Sequence, residues 1–136
     1  MRQILVVDDN ALMRETLVRL LGPASQVMAV GSGAAALAAR AQADFELVLM
    51  DIKMPDMDGI MACRALRESG MGAPILAITA DAGVQADAGY ASAGFTGLIE
   101  KPFEARELLQ CVADCLDSRR ETRSGMERVK GIEPSS

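Results

Sequence analysis

Five times before residue 117, a short aliphatic run gives way to a longer stretch rich in Ala, Leu and Arg. Runs this short and continuously apolar suit strands buried on both faces, and the longer stretches carry the spacing of amphipathic helices. The expected strands are Gln3 to Asp8, Gln26 to Val30, Glu46 to Asp51, Pro74 to Thr79 and Thr96 to Glu100. The expected helices are Ala11 to Leu21, closed by Gly22-Pro23, then Ala34 to Ala43, Gly59 to Glu68, a weaker Gly-containing one at Gln85 to Ala93, and Glu104 to Leu116. Such alternation predicts an α/β fold, an open parallel sheet with helices on both faces joined by right-handed crossovers.

In that architecture the reactive crevice lies beyond the carboxyl ends of the strands. The polar residues at those ends are Asp8 and Asp9 after the first strand, Asp51 after the third, Thr79 after the fourth and Lys101 after the fifth. Each alone is ordinary: an aspartate after a strand commonly caps a helix or forms a turn, as Asn10 is placed to do. Together they are expected to converge on one edge of the sheet.

Composition removes several classes of chemistry. The chain has 136 residues, a net charge of −5 and no histidine. Without histidine there is no Ser-His-Asp triad, no imidazole ligand for zinc and no phosphohistidine formed on this chain. The acidic balance disfavours nucleic acid as a direct partner, and 3% aromatic residues leave little for base stacking. Cys63, Cys111 and Cys115 have no metal-site spacing and read as small apolar residues on helix faces. The opening apolar run is too short for a signal-peptide core or a membrane span, so the expected location is cytoplasmic, with no membrane insertion. Residues 1–116 are expected to form the domain. Residues 117–136 are expected to be a disordered tail or a fraying extension of the last helix; the closing MERVKGIEPSS faintly resembles peptides read from a frame running into a tRNA gene.

Three gathered carboxylates repel by about 4 kcal/mol per pair at 4 Å in an effective dielectric near 20. A hard divalent ion with oxygen ligands offsets this, and Mg²⁺ typically takes one or two carboxylates, waters and a phosphate oxygen. Lys101 supplies a second positive charge. With both in place, Asp51 faces an electrophile whose negative charge is already neutralised, the condition for an aspartyl phosphate. The Thr79 hydroxyl can donate to a phosphoryl oxygen.

The segments ILVVDDN, LVLMDIKMPDMDG, ILAIT and EKPF resemble, in order and spacing, the receiver domain of bacterial two-component response regulators, over residues 3 to 116. MDIKMPDMDG resembles in particular the receivers of hybrid sensor kinases. The resemblance implies a flavodoxin-like five-stranded parallel sheet in the order 2-1-3-4-5. It implies Asp51 as phosphoacceptor, Asp9 and Asp51 as direct Mg²⁺ ligands, Asp8 as a ligand through water and the Lys53 carbonyl as a further ligand. Thr79 and Lys101 would bind the phosphoryl group, and the Lys101-Pro102 bond would be cis. The donor would be a phosphohistidine on a sensor histidine kinase or a histidine phosphotransfer protein, and the listener a downstream target protein, consistent with a stand-alone receiver that is not a turnover enzyme. A haloacid-dehalogenase-like phosphatase is the competing reading, but that class resembles a DxD motif on the first strand, whereas here the residue two beyond the acceptor is Lys53. A degenerate scaffold receiver is the third, against which the full polar set argues.

Several positions stand apart. Leu98 occupies the place where many family members carry an aromatic switch residue, so a smaller shift of the face formed by helix four, strand five and helix five is expected. Lys53 and Asp81 are placed to pair across the mouth of the site, and Ala80 leaves room for a bulky donor. Of the methionines near the acceptor loop, Met50 is expected in the core, and Met54 and Met57 as loop residues flanking Pro55.

Overall fold

The computed structural model describes residues 2–124. Its strands are β1 (Arg2–Val7), β2 (Ser25–Val30), β3 (Leu47–Asp51), β4 (Ile75–Thr79) and β5 (Gly97–Glu100). All pair in parallel, in the order β2-β1-β3-β4-β5. The helices are α1 (Ala11–Leu21), α2 (Gly33–Gln42), α3 (Gly59–Glu68), α4 (Ala88–Ala93) and α5 (Ala105–Ser124).

Strand alternation divides the core into two layers. Leu5, Val7, Val48, Met50 and Ile75 pack against Ala36, Ala62 and Leu66, which places α2 and α3 on one face. Ile4, Val6, Leu49 and Ile78 pack against Leu17, Leu108 and Val112, which places α1 and α5 on the other. Met54 is buried within the first layer instead of serving only as a loop residue, because its flexible thioether side chain fills space beneath α3.

Two elements depart from the expected boundaries by more than one residue. The fourth helix, expected as one piece from Gln85 to Ala93, is divided into a 3-10 turn at Ala82–Ala86 and the short α4. The cause is Asp87, whose backbone is extended and whose carboxylate accepts from the Gly89 and Tyr90 amides, starting a new helix there. At the other end, α5 continues past Leu116 to Ser124. Asp117 to Ser124 contains neither Gly nor Pro, so no residue type interrupts the helix before Gly125. The helix thus runs into the segment expected as a tail, as far as Ser124; residues 125–136, including MERVKGIEPSS, lie outside the described residues.

The order of the strands reverses at β1 and β3, whose carboxyl ends lie side by side with Val7 opposite Met50. The β3–α3 loop returns tightly, with Asp56 at φ 67° and the Gly59 amide donating to the Ile52 carbonyl at 2.8 Å. A β-carbon on Gly59 would collide with the Asp51 carbonyl oxygen and lie 2.8 Å from the Ile52 Cα. Gly59 thus permits the first turn of α3 to press against the backbone of the candidate acceptor. Gly59→Ala is expected to destabilise the domain by roughly 1–3 kcal/mol, read by urea unfolding, because the obstruction is backbone that must shift as a unit.

Candidate functional site

Asp8, Asp51 and Thr79 are buried at the carboxyl edge of the sheet, whereas Asp9 is exposed. One carboxylate oxygen from each of Asp8, Asp9 and Asp51 lies within 4.8 Å of the other two. Lys101 reaches in from the end of β5, and its Nζ donates to Asp8 Oδ2 and to Asp51 Oδ1, each at 3.4 Å. The Lys101-Pro102 bond is cis. Residues 93 positions apart in the chain thus meet in one ion-pair network.

Local structure holds each group in place. Asp8 Oδ1 accepts from the Asn10 amide at 2.9 Å, while Asn10 caps α1 by accepting from the Met13 amide. Behind Asp8, Arg14 Nη1 donates to the Asp8 carbonyl at 2.8 Å. Sequence reasoning did not single out Arg14; its one signal was a basic residue in the first turn and a half of a helix that follows an acidic pair. Thr79 Oγ1 accepts from the Asp81 amide at 3.2 Å, which leaves its own proton for donation into the site. The Thr79 carbonyl accepts from the Lys101 amide at 2.8 Å, which holds the two residues side by side.

Lys53, in the loop two residues beyond Asp51, turns its side chain to Asp81 at 3.8 Å. Both are well exposed, and such a pair contributes little to stability. Leu98 is half-buried on β5 opposite Ala77. The aromatic contact on this side of the molecule is Tyr90 of α4 stacked on Phe95, with centroids 4.8 Å apart. Cys63 is buried and its thiol is pushed up to about 11, mainly by burial; Cys111 and Cys115 are raised for the same first reason. None of the three is poised as a thiolate.

The electrostatics of the pocket centre on Asp51. Burial first, and then the neighbouring Asp8, push Asp51 up to about 6, although Lys101 pulls it down. The pull of Lys101 on Asp51 is thus outweighed by burial and by the carboxylate beside it. Oxygen donors are the ligands a hard cation selects, and the exposure of Asp9 leaves room for the waters that Mg²⁺ retains. The residues present therefore fit that ion.

A family profile for the response regulator receiver domain matches residues 4–113. The chain belongs to the response regulator receiver family. Among its relatives is the sensor histidine kinase GacS of Pseudomonas protegens, 36% identical over 118 residues, a match covering 81% of this chain and 13% of the kinase. The response regulator MprA of Mycobacterium sp. strain KMS is 38% identical over 108 residues, covering 79% of this chain and 47% of the regulator. This receiver thus spans only a part of the length of both. Among solved structures, the chemotaxis response regulator CheY4 of Vibrio cholerae superposes with a TM-score of 0.80 at 29% identity, covering 85% of this chain and 99% of CheY4. TrrA of Thermotoga maritima, solved in complex with Mg²⁺ and beryllofluoride, gives 0.77 at 29% identity, covering 85% of this chain and all of TrrA (100%). Receiver domains bind Mg²⁺ in an acidic pocket, and the acidic pocket of this receiver is Asp8, Asp9 and Asp51.

Because the folded state raises Asp51 above its unfolded value, this group costs no stability below pH 4, and the cost grows between pH 4 and 6 as the carboxyl ionises. Asp51→Asn is accordingly expected to stabilise the metal-free receiver by roughly 2–3 kcal/mol at pH 7.5 and by little at pH 4, read by urea unfolding at both pH values. Mg²⁺ affinity is expected to fall as pH drops below 6, since the ion must then displace a proton, and titration calorimetry at pH 5 and pH 7.5 measures this.

Proposed function

We propose that this receiver takes a phosphoryl group onto Asp51 from a phosphohistidine on a sensor histidine kinase or a histidine phosphotransfer protein, and that the modified form signals to a downstream target protein. The observation that carries this reading is the Lys101 ammonium set 3.4 Å from both buried carboxylates, a preplaced cation beside a nucleophile. Asp51 Oδ attacks phosphorus, the bond from phosphorus to the donor's imidazole nitrogen breaks, and the departing nitrogen keeps the electron pair and takes up a proton. Lys101 pairs with one phosphoryl oxygen, and the Thr79 hydroxyl donates to another. Asp9, Asp51 and the Lys53 carbonyl would hold Mg²⁺ directly and Asp8 through water; when bound, the ion neutralises charge on the transferring group. Phosphoryl transfer depends chiefly on such positioning and charge stabilisation.

On this reading the protein is a stoichiometric acceptor and not a turnover enzyme. Kinship with the GacS kinase and with the MprA regulator supports partners of both kinds, a donor and a listener. Among the described residues no helix is long and apolar enough to cross a membrane. With Leu98 in place of an aromatic side chain, the face formed by α4, β5 and α5 shifts by a smaller amplitude on phosphorylation.

Incubation with Mg²⁺ and a small acyl phosphate, followed by intact-mass spectrometry, is expected to add one phosphoryl group to the wild type and none to Asp51→Ala; equal labelling of the two sinks the assignment. Lys53→Ala is expected to change the half-life of the phosphorylated form, measured by the decay of the same mass peak, because Lys53 and Asp81 flank the approach of water.

A further inference from the structure

An open groove of about 880 Å³ runs beside the acceptor, between the start of α3 and the 3-10 turn that precedes α4. Ile52, Met54, Ile60 and Val84 supply its apolar surface, and Asp58, Asp81 and Asp87 its acidic margin, against the single lysine Lys53. We infer that this groove docks a basic amphipathic segment of a partner protein, and that a phosphoryl group on Asp51 strengthens the docking.

Charge and rigidity identify the occupant. Three carboxylates facing one lysine leave the groove net negative, in a chain of net charge −5. The aspartates do not have to be ordered on binding. Asp58 already caps α3 through the Met61 amide, Asp87 caps α4 through the Gly89 amide, and Asp81 accepts from the Gly83 amide. Each is held by one oxygen, so arginine or lysine meets a fixed acceptor at little entropic cost. Its apolar surface suits the Leu, Ile or Val anchors of an amphipathic helix. A groove of this size holds a few side chains.

The coupling rests on the phosphoacceptor reading. Lys53 lies two residues from Asp51 and now pairs with Asp81 at 3.8 Å across the groove mouth. A phosphoryl group on Asp51 brings negative charge that competes for Lys53. Asp81 then loses its cation and the groove becomes more negative, which favours a basic segment.

The test uses the full isotope-labelled chain and a short synthetic peptide with leucines on one helical face and arginines on the other. The control peptide has glutamate in place of each arginine. Amide spectra are recorded with and without Mg²⁺ and beryllofluoride. The variant is Asp58→Asn with Asp87→Asn, since asparagine retains the capping oxygen and removes only the charge. Expected are shifts centred on Ile52, Ile60, Gly83 and Val84 with the arginine peptide alone, about three- to tenfold weaker binding in the variant, and tighter binding with beryllofluoride. Shifts scattered over the surface, or affinity unchanged in the variant, overturn the groove. Peptide-free shifts at the same residues that grow with protein concentration overturn it in favour of a second copy of this chain. Equal affinity with and without beryllofluoride, while Asp51 itself responds, overturns the coupling alone. If the Asp51 signals do not respond to beryllofluoride, the phosphoacceptor reading fails and the coupling with it, and the peptide shifts then decide the groove by themselves.

Discussion

The shared lysine at the carboxyl edge of the sheet is the interaction on which the rest of this receiver depends. Two carboxylates, Asp8 and Asp51, are buried next to each other, an arrangement that folding opposes through both desolvation and repulsion. Among the described residues, Lys101 is the one side chain paired with both. The apolar layers on either side of the sheet provide the stability that allows this unfavourable cluster to persist. Asp51, raised by burial and by Asp8, is the carboxyl that a bound cation would favour as an anion.

The framework behind the cluster consists of contacts that leave little freedom. Asp8 is fixed by the cap of α1 and by Arg14, Thr79 by the Asp81 amide, and the Asp51 backbone by the close approach of Gly59. On the α4 side the contacts are of another kind. Ala93 is the buried residue of α4, and Arg67 of α3 bonds to the Gly94 carbonyl at its end. The candidate acceptor thus sits on a closely fixed backbone, with α4 joined to α3 mainly through side-chain to backbone bonds.

Much of the site was legible before folding was considered. The rule that open parallel sheets collect function at the carboxyl ends of strands is enough to select Asp8, Asp9, Asp51, Thr79 and Lys101, because strand ends are marked by a change from aliphatic to polar residues. The Lys53–Asp81 pair was also foreseeable, since each lies two residues past a strand end. Arg14 was not: its bond goes to a backbone carbonyl, and nothing in side-chain chemistry marks such a partner. The break at Asp87 was hidden because a capping aspartate inside a weak helical pattern looks the same as a solvent-facing one until its backbone angles are known.

From the sequence alone came the alternation, the parallel sheet and the identities of the polar residues at its edge, since these follow from local hydrophobic period and chain punctuation. Tertiary structure decided what those residues mean to one another. Burial raised Asp51, the reach of Lys101 joined the ends of β1 and β3 electrostatically, and Asp58 and Asp87, distant in the chain, came to line one groove with Lys53. Such properties depend on distance and on the exclusion of water, and neither is set until strands distant in the chain lie side by side.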